Sequence, residues 1–176
     1  MSRYSTNATE DINPALLDND EGERDRIFMI RRYQEQDIEA VIEAWHQASL
    51  IAHPFLSEQF FAEENHNLRT RFLPHSQTWV YEAEGQVVGF ISMVENEVGG
   101  LFVHPAWQRQ GIGRALMDQA SNVHTTLELD VFEANQQGRA FYAKYGFVPL
   151  KTHRDEETGE MMVRLRLSRQ EARREP

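Results

Sequence analysis

The segment from Leu101 to Met117, LFVHPAWQRQGIGRALM, constrains the fold of this chain more than any other. A short apolar run ends at a proline and is followed by QRQGIG and an amphipathic helical pattern. The first backbone N–H groups of a helix have no partner within the helix and lie at the positive end of its dipole. Small residues there let an anionic phosphate approach the backbone. The segment therefore predicts a strand that runs into a pyrophosphate-binding helix start.

Two common nucleotide-binding motifs do not fit this segment. No Gly-Lys-Ser or Gly-Lys-Thr follows the glycines, which excludes the phosphate-binding P-loop. Ala115 and Leu116 precede no third glycine, so the dinucleotide-binding fingerprint fails as well. Because two glycines at a helix start also occur for purely structural reasons, the rest of the chain has to decide what this helix start binds.

Composition narrows the class of protein. The chain of 176 residues has the length of one domain and contains no cysteine, which excludes disulfides, thiolate metal sites and acyl-cysteine intermediates. Its net charge of -10 disfavours nucleic-acid binding and suits a cationic amine substrate, although a solvated acidic surface is the simpler explanation. No apolar run is long enough to span a membrane and the N-terminus lacks the apolar core of a signal peptide. We expect a soluble, cytoplasmic protein with no membrane partner.

The charge pattern divides the chain into three parts. The first 26 residues carry seven acidic and three basic side chains among few apolar residues, so we predict a flexible extension over residues 1–27. Residues 28–167 form a single domain, and residues 168–176, SRQEARREP, form a polar tail. The acidic extension also raises Met29 as an alternative translation start.

Hydrophobic periodicity predicts alternating strands and helices. The predicted strands are 28–33, 79–83, 87–94, 98–103, 127–132, 146–150 and 161–167. The predicted helices are one that follows Asp37 with Ile38, Val41, Ile42, Trp45 and Ala48 on one face, a second over 58–73 that ends at Pro74, a third over 111–122 and a fourth over 136–145. The pattern indicates an α/β fold with a mixed sheet and helices on both faces. Trp45, Phe55, Trp79 and Phe90 either pack in the core or wall a cleft.

Three motifs in order carry a family resemblance. Val103-His104-Pro105 is followed by the Gln-x-x-Gly-x-Gly of residues 108–113, then by Asn135 and the FYAKYGF run of residues 141–147. This arrangement strongly resembles the GNAT superfamily of acetyl-CoA-dependent N-acetyltransferases over roughly residues 29–167. The stretch AWHQASLIAHPFL, residues 44–56, looks like a bacterial subgroup typified by YjaB. The resemblance implies the GNAT fold, with a mostly antiparallel central sheet.

The resemblance also implies a binding site for acetyl-CoA. Backbone groups of Leu101, Phe102 and Val103 are expected to pair with the pantetheine arm and the acetyl carbonyl. Pyrophosphate is expected at the N–H groups that follow Gln108, namely those of Arg109, Gln110, Gly111, Ile112, Gly113 and Arg114. Asn135 is expected to contact pantetheine, and it also suits a helix N-cap. No metal is expected, because His46 and His53 are too isolated to form a ligand set.

Acetyl transfer to an amine requires proton transfers. An alkyl ammonium of pKa about 10.4 is only about one part in a thousand neutral near pH 7.4, so a base or a desolvating pocket must remove its proton. The family motif indicates Tyr142 as the acid that protonates the departing thiolate. For the base we favour Glu97, on the approach to the same strand as Val103, and Glu95, His104, Asp130 and water stay open as alternatives.

The acceptor is less constrained than the donor. We predict direct transfer from acetyl-CoA to a primary amine of a small molecule or a protein in a ternary complex. The alternative is an acetyl-CoA sensor or interaction domain without acceptor catalysis. The sequence leaves open the identity of the amine and the oligomeric state, a homodimer included.

Overall fold

Seven strands form one mixed sheet in the computed structural model, which describes residues 28–168. They are β1 (Phe28–Arg32), β2 (Gln77–Ala83), β3 (Gln86–Val94), β4 (Glu97–Val103), β5 (Thr126–Phe132), β6 (Val148–Arg154) and β7 (Met161–Ser168). The strand order is β1-β2-β3-β4-β5-β7-β6, and all neighbours are antiparallel except β4 and β5. The predicted, mostly antiparallel sheet is confirmed. The predicted extension over residues 1–27 and the tail beyond Ser168 lie outside the described residues.

Between residues 28 and 168, four α-helices cover the two faces of the sheet. They are α1 (Ile38–Ala52), α2 (Glu58–Asn67), α3 (Ile112–Val123) and α4 (Gln136–Tyr145). Helices α1 and α2 bury Trp45 and Phe61 against Phe90 on one face. Helix α3 buries Leu116 against the other face, where side chains of α4 also pack. This arrangement confirms the predicted helices on both faces. No helix between residues 28 and 168 combines the length and apolarity needed to cross a membrane.

Trp45, Trp79 and Phe90 belong to the core. All three side chains are buried, Phe90 completely. Phe55 instead lies in the connection after α1 and is half-buried, with its ring edge against His53 and Phe132. Of the four aromatic residues that could wall a cleft, only Phe55 lies outside the core.

The second predicted helix and the sixth predicted strand differ from the structure. The α-helix ends at Asn67 rather than Pro74; residues 68–72 form one π-helical turn, and Pro74 lies inside a 3₁₀ turn over 73–75. Leu73 itself keeps the α conformation, at φ -58° and ψ -40°. Pro74 has no N–H to donate to the carbonyl four residues earlier, so the α-helical hydrogen-bond pattern cannot continue through it. Residues 146–147 end helix α4 rather than begin a strand, because the N–H groups of Gly146 and Phe147 donate to the carbonyl of Tyr142.

A bulge in β4 meets the π-helical turn. The register with β3 shifts between Ser92, opposite Gly100, and Met93, opposite Val98, so Gly99 is the extra residue. A Cβ atom at Gly99 would lie 2.1 Å from Cζ of Phe72. Glycine at position 99 therefore lets the Phe72 ring pack directly on the strand.

Candidate active site

Strands β4 and β5 diverge and leave one edge of β4 open. Their parallel pairing is confined to Glu97 opposite Glu128, whereas β4 stays paired with β3 as far as Val103. On the β5 side, the edge from Leu101 to Val103 therefore has no strand partner within residues 28–168. The Val103 carbonyl there accepts a hydrogen bond from the Gln108 side-chain amide at 2.9 Å. The open edge offers backbone donors and acceptors to an extended ligand.

A cleft of about 540 Å³ follows this edge. Eleven of the predicted site residues line it: Leu101, Phe102, Val103, Gln108, Arg109, Gly111, Ile112, Gly113, Arg114, Asn135 and Tyr142. Two predicted site residues, Gln110 and Glu97, do not line the cleft. Other residues line the cleft that no sequence motif indicated, namely Ala48 and Ala52 of α1, His53 directly after it, Trp107 and Gln137.

No side chain caps the start of α3, which leaves its first N–H groups open to an anion. Gly111 is the N-cap residue, and no side chain caps the helix. Both Gly111, at φ 82°, and Arg109, at φ 63°, adopt the left-handed conformation. Successive N–H groups in such alternating conformations converge on a concave surface that binds anions. A Cβ at Gly113 would lie 3.4 Å from the Phe141 ring, so the α3 start packs closely against α4.

Asn135 connects α4 to α1. Its side-chain Oδ1 accepts a hydrogen bond from the Gly138 N–H at 2.8 Å, which confirms the expected N-cap. Its Nδ2 lies 3.2 Å from Nε2 of His53. Glycine at 138 suits this cap, because a Cβ there would lie 2.6 Å from Asn135 Nδ2. One carboxamide thus holds both the helix that carries Tyr142 and the histidine that ends α1.

Two tyrosines of α4 lie in the cleft in different states. Tyr142 packs its ring against Phe141 and Phe147, and its hydroxyl makes no side-chain hydrogen bond within the described part of the chain. Burial raises the pKa of the Tyr142 phenol, so it stays protonated at neutral pH. Tyr145 instead donates to Asp118 at 2.6 Å, and its hydroxyl lies 3.1 Å from Ser121 Oγ. Tyr142 is therefore the better placed of the two to give a proton to a ligand.

Glu97 lies at the first position of β4, in a charged cluster. Both of its carboxylate oxygens bind Arg164, which also contacts Glu128 at 2.6 Å and Asp130 at 3.0 Å. Arg164 lies 67 residues further along the chain, and nothing local in the sequence indicates this pairing. Glu97 is thus held by an ion pair outside the cleft lining.

The three alternative base residues also lie apart from the open strand edge or have other partners. Glu95 is exposed in the β3–β4 turn at φ 54°. The Nδ1 atom of His104 accepts a hydrogen bond from the Ala106 N–H at 3.2 Å and so caps the turn at Pro105. Asp130 binds Arg164, and its Oδ1 lies 3.7 Å from Nε2 of His153. None of these three carboxyl or imidazole groups lines the cleft.

Comparison with known proteins agrees with this geometry. The family described as Acetyltransferase (GNAT) domain matches residues 74–149. The chain is 34% identical to the peptidyl-lysine N-acetyltransferase YiaC of Escherichia coli K12, over 68% of this chain and 82% of that protein. It is 32% identical to the peptidyl-lysine N-acetyltransferase YjaB of the same strain, over 69% of this chain and 82% of YjaB.

Solved structures share the fold. The solution structure of apo YjaB from Escherichia coli superposes with a TM-score of 0.72 at 29% identity, over 80% of this chain and 97% of that one. The PaiA N-acetyltransferase of Thermoplasma acidophilum, crystallised with coenzyme A, gives a TM-score of 0.66 at 20% identity, over 81% and 99%. The predicted fold and the resemblance to the subgroup typified by YjaB are confirmed. The open β4 edge, the uncapped α3 start and these relatives lead to one conclusion: the chain belongs to the GNAT superfamily of N-acetyltransferases.

Proposed function

We propose that this protein is a cytoplasmic enzyme that transfers the acetyl group of acetyl-CoA directly to the ε-amine of lysine in a protein or peptide. One observation carries the proposal: the open edge from Leu101 to Val103 leads into the uncapped start of α3 along one cleft. Acetyl-CoA has the matching order of groups, an acylated arm with amides followed by a pyrophosphate, and it supplies the activated acetyl thioester.

The cleft residues fit the two parts of this ligand. The backbone of Leu101, Phe102 and Val103 can pair with the amides of pantetheine as an added strand would. The N–H groups between Arg109 and Arg114 can bind the pyrophosphate, favoured by the helix dipole. The guanidinium groups of those two arginines add charge-assisted contacts.

The proton transfers are assigned to Tyr142 and Glu97. Tyr142 holds a proton on a buried hydroxyl that has no competing side-chain partner among the described residues, and it gives this proton to the leaving thiolate. Glu97 takes the proton of the ammonium. Because its carboxylate binds Arg164 and does not line the cleft, the proton reaches Glu97 through water.

Three observations favour lysine as the acceptor. YiaC and YjaB are both described as peptidyl-lysine N-acetyltransferases. The net charge of -10 attracts a cationic side chain over a distance. The carboxylates of Glu97, Glu128 and Asp130 outnumber by one the two arginines that bind them, Arg164 and Arg166.

Acetylation of lysine peptides tests the proposal. Purified full-length protein is mixed with acetyl-CoA and matched peptides that contain lysine, acetyl-capped or free at the N-terminus, and thiol release and peptide mass are followed together. We expect mass gain on the lysine side chain with stoichiometric thiol release. Calorimetric binding of acetyl-CoA without transfer to any peptide or small amine would favour a sensor, and transfer only to small amines would refute the acceptor class.

A further inference from the structure

His53 lines the cleft and has no part in the proton transfers assigned to Tyr142 and Glu97. It is the residue that ends α1, and its ring lines the cleft. The ring centroid lies 5.9 Å from that of Phe55 and 5.2 Å from that of Phe132, both in edge-on contact. These aromatic contacts fix the plane of the imidazole, so its two nitrogens have defined directions.

The N-cap of α4 determines which nitrogen of His53 carries the proton. Because Asn135 Oδ1 accepts from the Gly138 N–H, the amide nitrogen Nδ2 must face His53. An amide nitrogen only donates, so Nε2 of His53 is the acceptor and is unprotonated. A neutral imidazole then carries its single hydrogen on Nδ1. Burial lowers the pKa of His53 to about 4, which agrees with a neutral ring at pH 7.

The remaining ring nitrogen is free to act on a ligand. Nδ1 makes no hydrogen bond within residues 28–168, and it is not among the enclosed unpartnered polar atoms of that range. Since the ring lines the cleft, we propose that the Nδ1–H of His53 donates a hydrogen bond to a carbonyl oxygen of the acetylated pantetheine arm. His53 is thereby a binding residue for the acetyl donor, and not the base. The inference rests on the proposed function only in taking acetyl-CoA as the ligand of the cleft.

Binding measurements on His53→Phe test the contact. Phenylalanine keeps the ring packed between Phe55 and Phe132 and removes both nitrogens. Loss of one neutral hydrogen bond is expected to raise the calorimetric Kd about three- to ten-fold. If the Kd rises for acetyl-CoA but not for CoA, His53 contacts the acetyl carbonyl. If the Kd rises equally for both ligands, His53 contacts an amide carbonyl of pantetheine. Unchanged Kd values for both ligands overturn the proposal.

His46 offers a matched control on the same helix. Its ring makes an edge-on contact with Phe61 at 6.1 Å and does not line the cleft. His46→Phe should leave both Kd values within two-fold of the wild type. An equal loss of affinity in both variants would show that changes in α1 act indirectly, and would overturn the assignment of a direct contact.

A measurement on the unliganded wild type keeps the inference testable if His53→Phe fails to fold. Two-bond ¹H–¹⁵N correlation spectra distinguish the tautomers, and His53 is expected as the Nδ1–H form. Asn135→Ser keeps a helix-capping side chain and removes the amide, so this preference should fall. An Nε2–H tautomer in the wild type overturns the proposal. If the wild type does not bind acetyl-CoA, both this inference and the proposed function are overturned. If it binds acetyl-CoA but does not acetylate lysine peptides, the Kd measurements and the tautomer spectra still test the role of His53.

Discussion

Tyr142→Phe should separate catalysis from folding. The substitution keeps the ring contacts with Phe141 and Phe147 at 5.3 and 5.5 Å. The hydroxyl that is lost makes no side-chain hydrogen bond within residues 28–168, so the free energy of unfolding should change by less than about 1 kcal/mol. Loss of a general acid typically costs a factor of about 10² to 10⁴ in rate. We therefore expect kcat to fall at least about 100-fold.

Tyr145→Phe provides the matched control on the same helix. Its hydroxyl donates to Asp118 and contacts Ser121, and both partners lose that interaction in the variant. Loss of these hydrogen bonds should lower the free energy of unfolding by about 1 to 2 kcal/mol. Because its hydroxyl is already engaged, kcat should stay within a few-fold of the wild type. The two variants are thus expected to show opposite patterns of activity and stability.

Urea unfolding and steady-state acetylation with saturating acetyl-CoA measure the two patterns. A further arm uses an acetyl donor whose thiol is more acidic than that of CoA. A more acidic thiol leaves with less need for protonation by an acid. The loss of kcat in Tyr142→Phe should therefore be smaller with this donor. Unchanged kcat in Tyr142→Phe would refute the acid assignment. A deficit that is the same for both donors would show that the hydroxyl positions a substrate.

Three further predictions concern the sheet and its charged cluster. Glu97→Gln should lower kcat about 100-fold and leave acetyl-CoA binding unchanged; a rate within two-fold of the wild type would mean that another group takes the proton. Arg164→Met should destabilise the fold by about 2 kcal/mol at pH 7. Arg164 lowers the pKa of Glu128 in the folded state, so this pair stabilises the fold fully above a pH of about 4.3, and the stabilisation is lost as the pH falls through the folded pKa. The free energies of unfolding of the wild type and Arg164→Met should therefore converge in acid. A difference that stays constant with pH would contradict this. Gly99→Ala should destabilise by about 1 to 3 kcal/mol through the clash with Phe72, and Phe72→Leu should recover part of the loss in a double-mutant cycle; additive effects would argue against the contact.

The fold was largely predictable because local patterns decide it. Strand β5, residues 126–132, alternates buried and half-buried residues, so its period of two is visible in the sequence. The fourth helix matched its predicted bounds, 136–145, because Asn135 caps its start and Gly146 ends it at φ 118°. The second predicted helix ran too far, because periodicity does not distinguish the π-helical turn over 68–72 from an α-helix. Phe72 lies over Gly99, 27 positions away, and no periodicity reports such a contact.

The site also has a part that the sequence predicts from neighbouring residues and a part that depends on residues far apart in the chain. The proposed acetyl-CoA-binding residues between Leu101 and Gly113 lie in one short stretch of chain, and a strand that leads into a helix start marked by glycines can be recognised from the sequence. The role of His53 depends on Asn135, 82 positions away, and the surroundings of Glu97 depend on Arg164. The apolar character of the loop that follows α1 was a sequence feature that could have indicated His53. Nothing in the sequence connected that loop to α4.

Burial shifts the pKa values of two side chains of the cleft in opposite directions, and both side chains are uncharged as a result. It raises the pKa of Tyr142 and lowers that of His53, so at neutral pH both groups are uncharged and each carries a hydrogen that it can donate. The backbone N–H groups at the start of α3 are donors as well. The cleft walls therefore suit the oxygen atoms of an acyl donor, and the described residues that line the cleft include no carboxylate for an ammonium. The carboxylates of the Arg164 cluster lie outside the cleft lining, so a proton that passes from the acceptor to Glu97 has to travel through water. The rate of the Glu97→Gln variant measures whether Glu97 is the group that receives this proton.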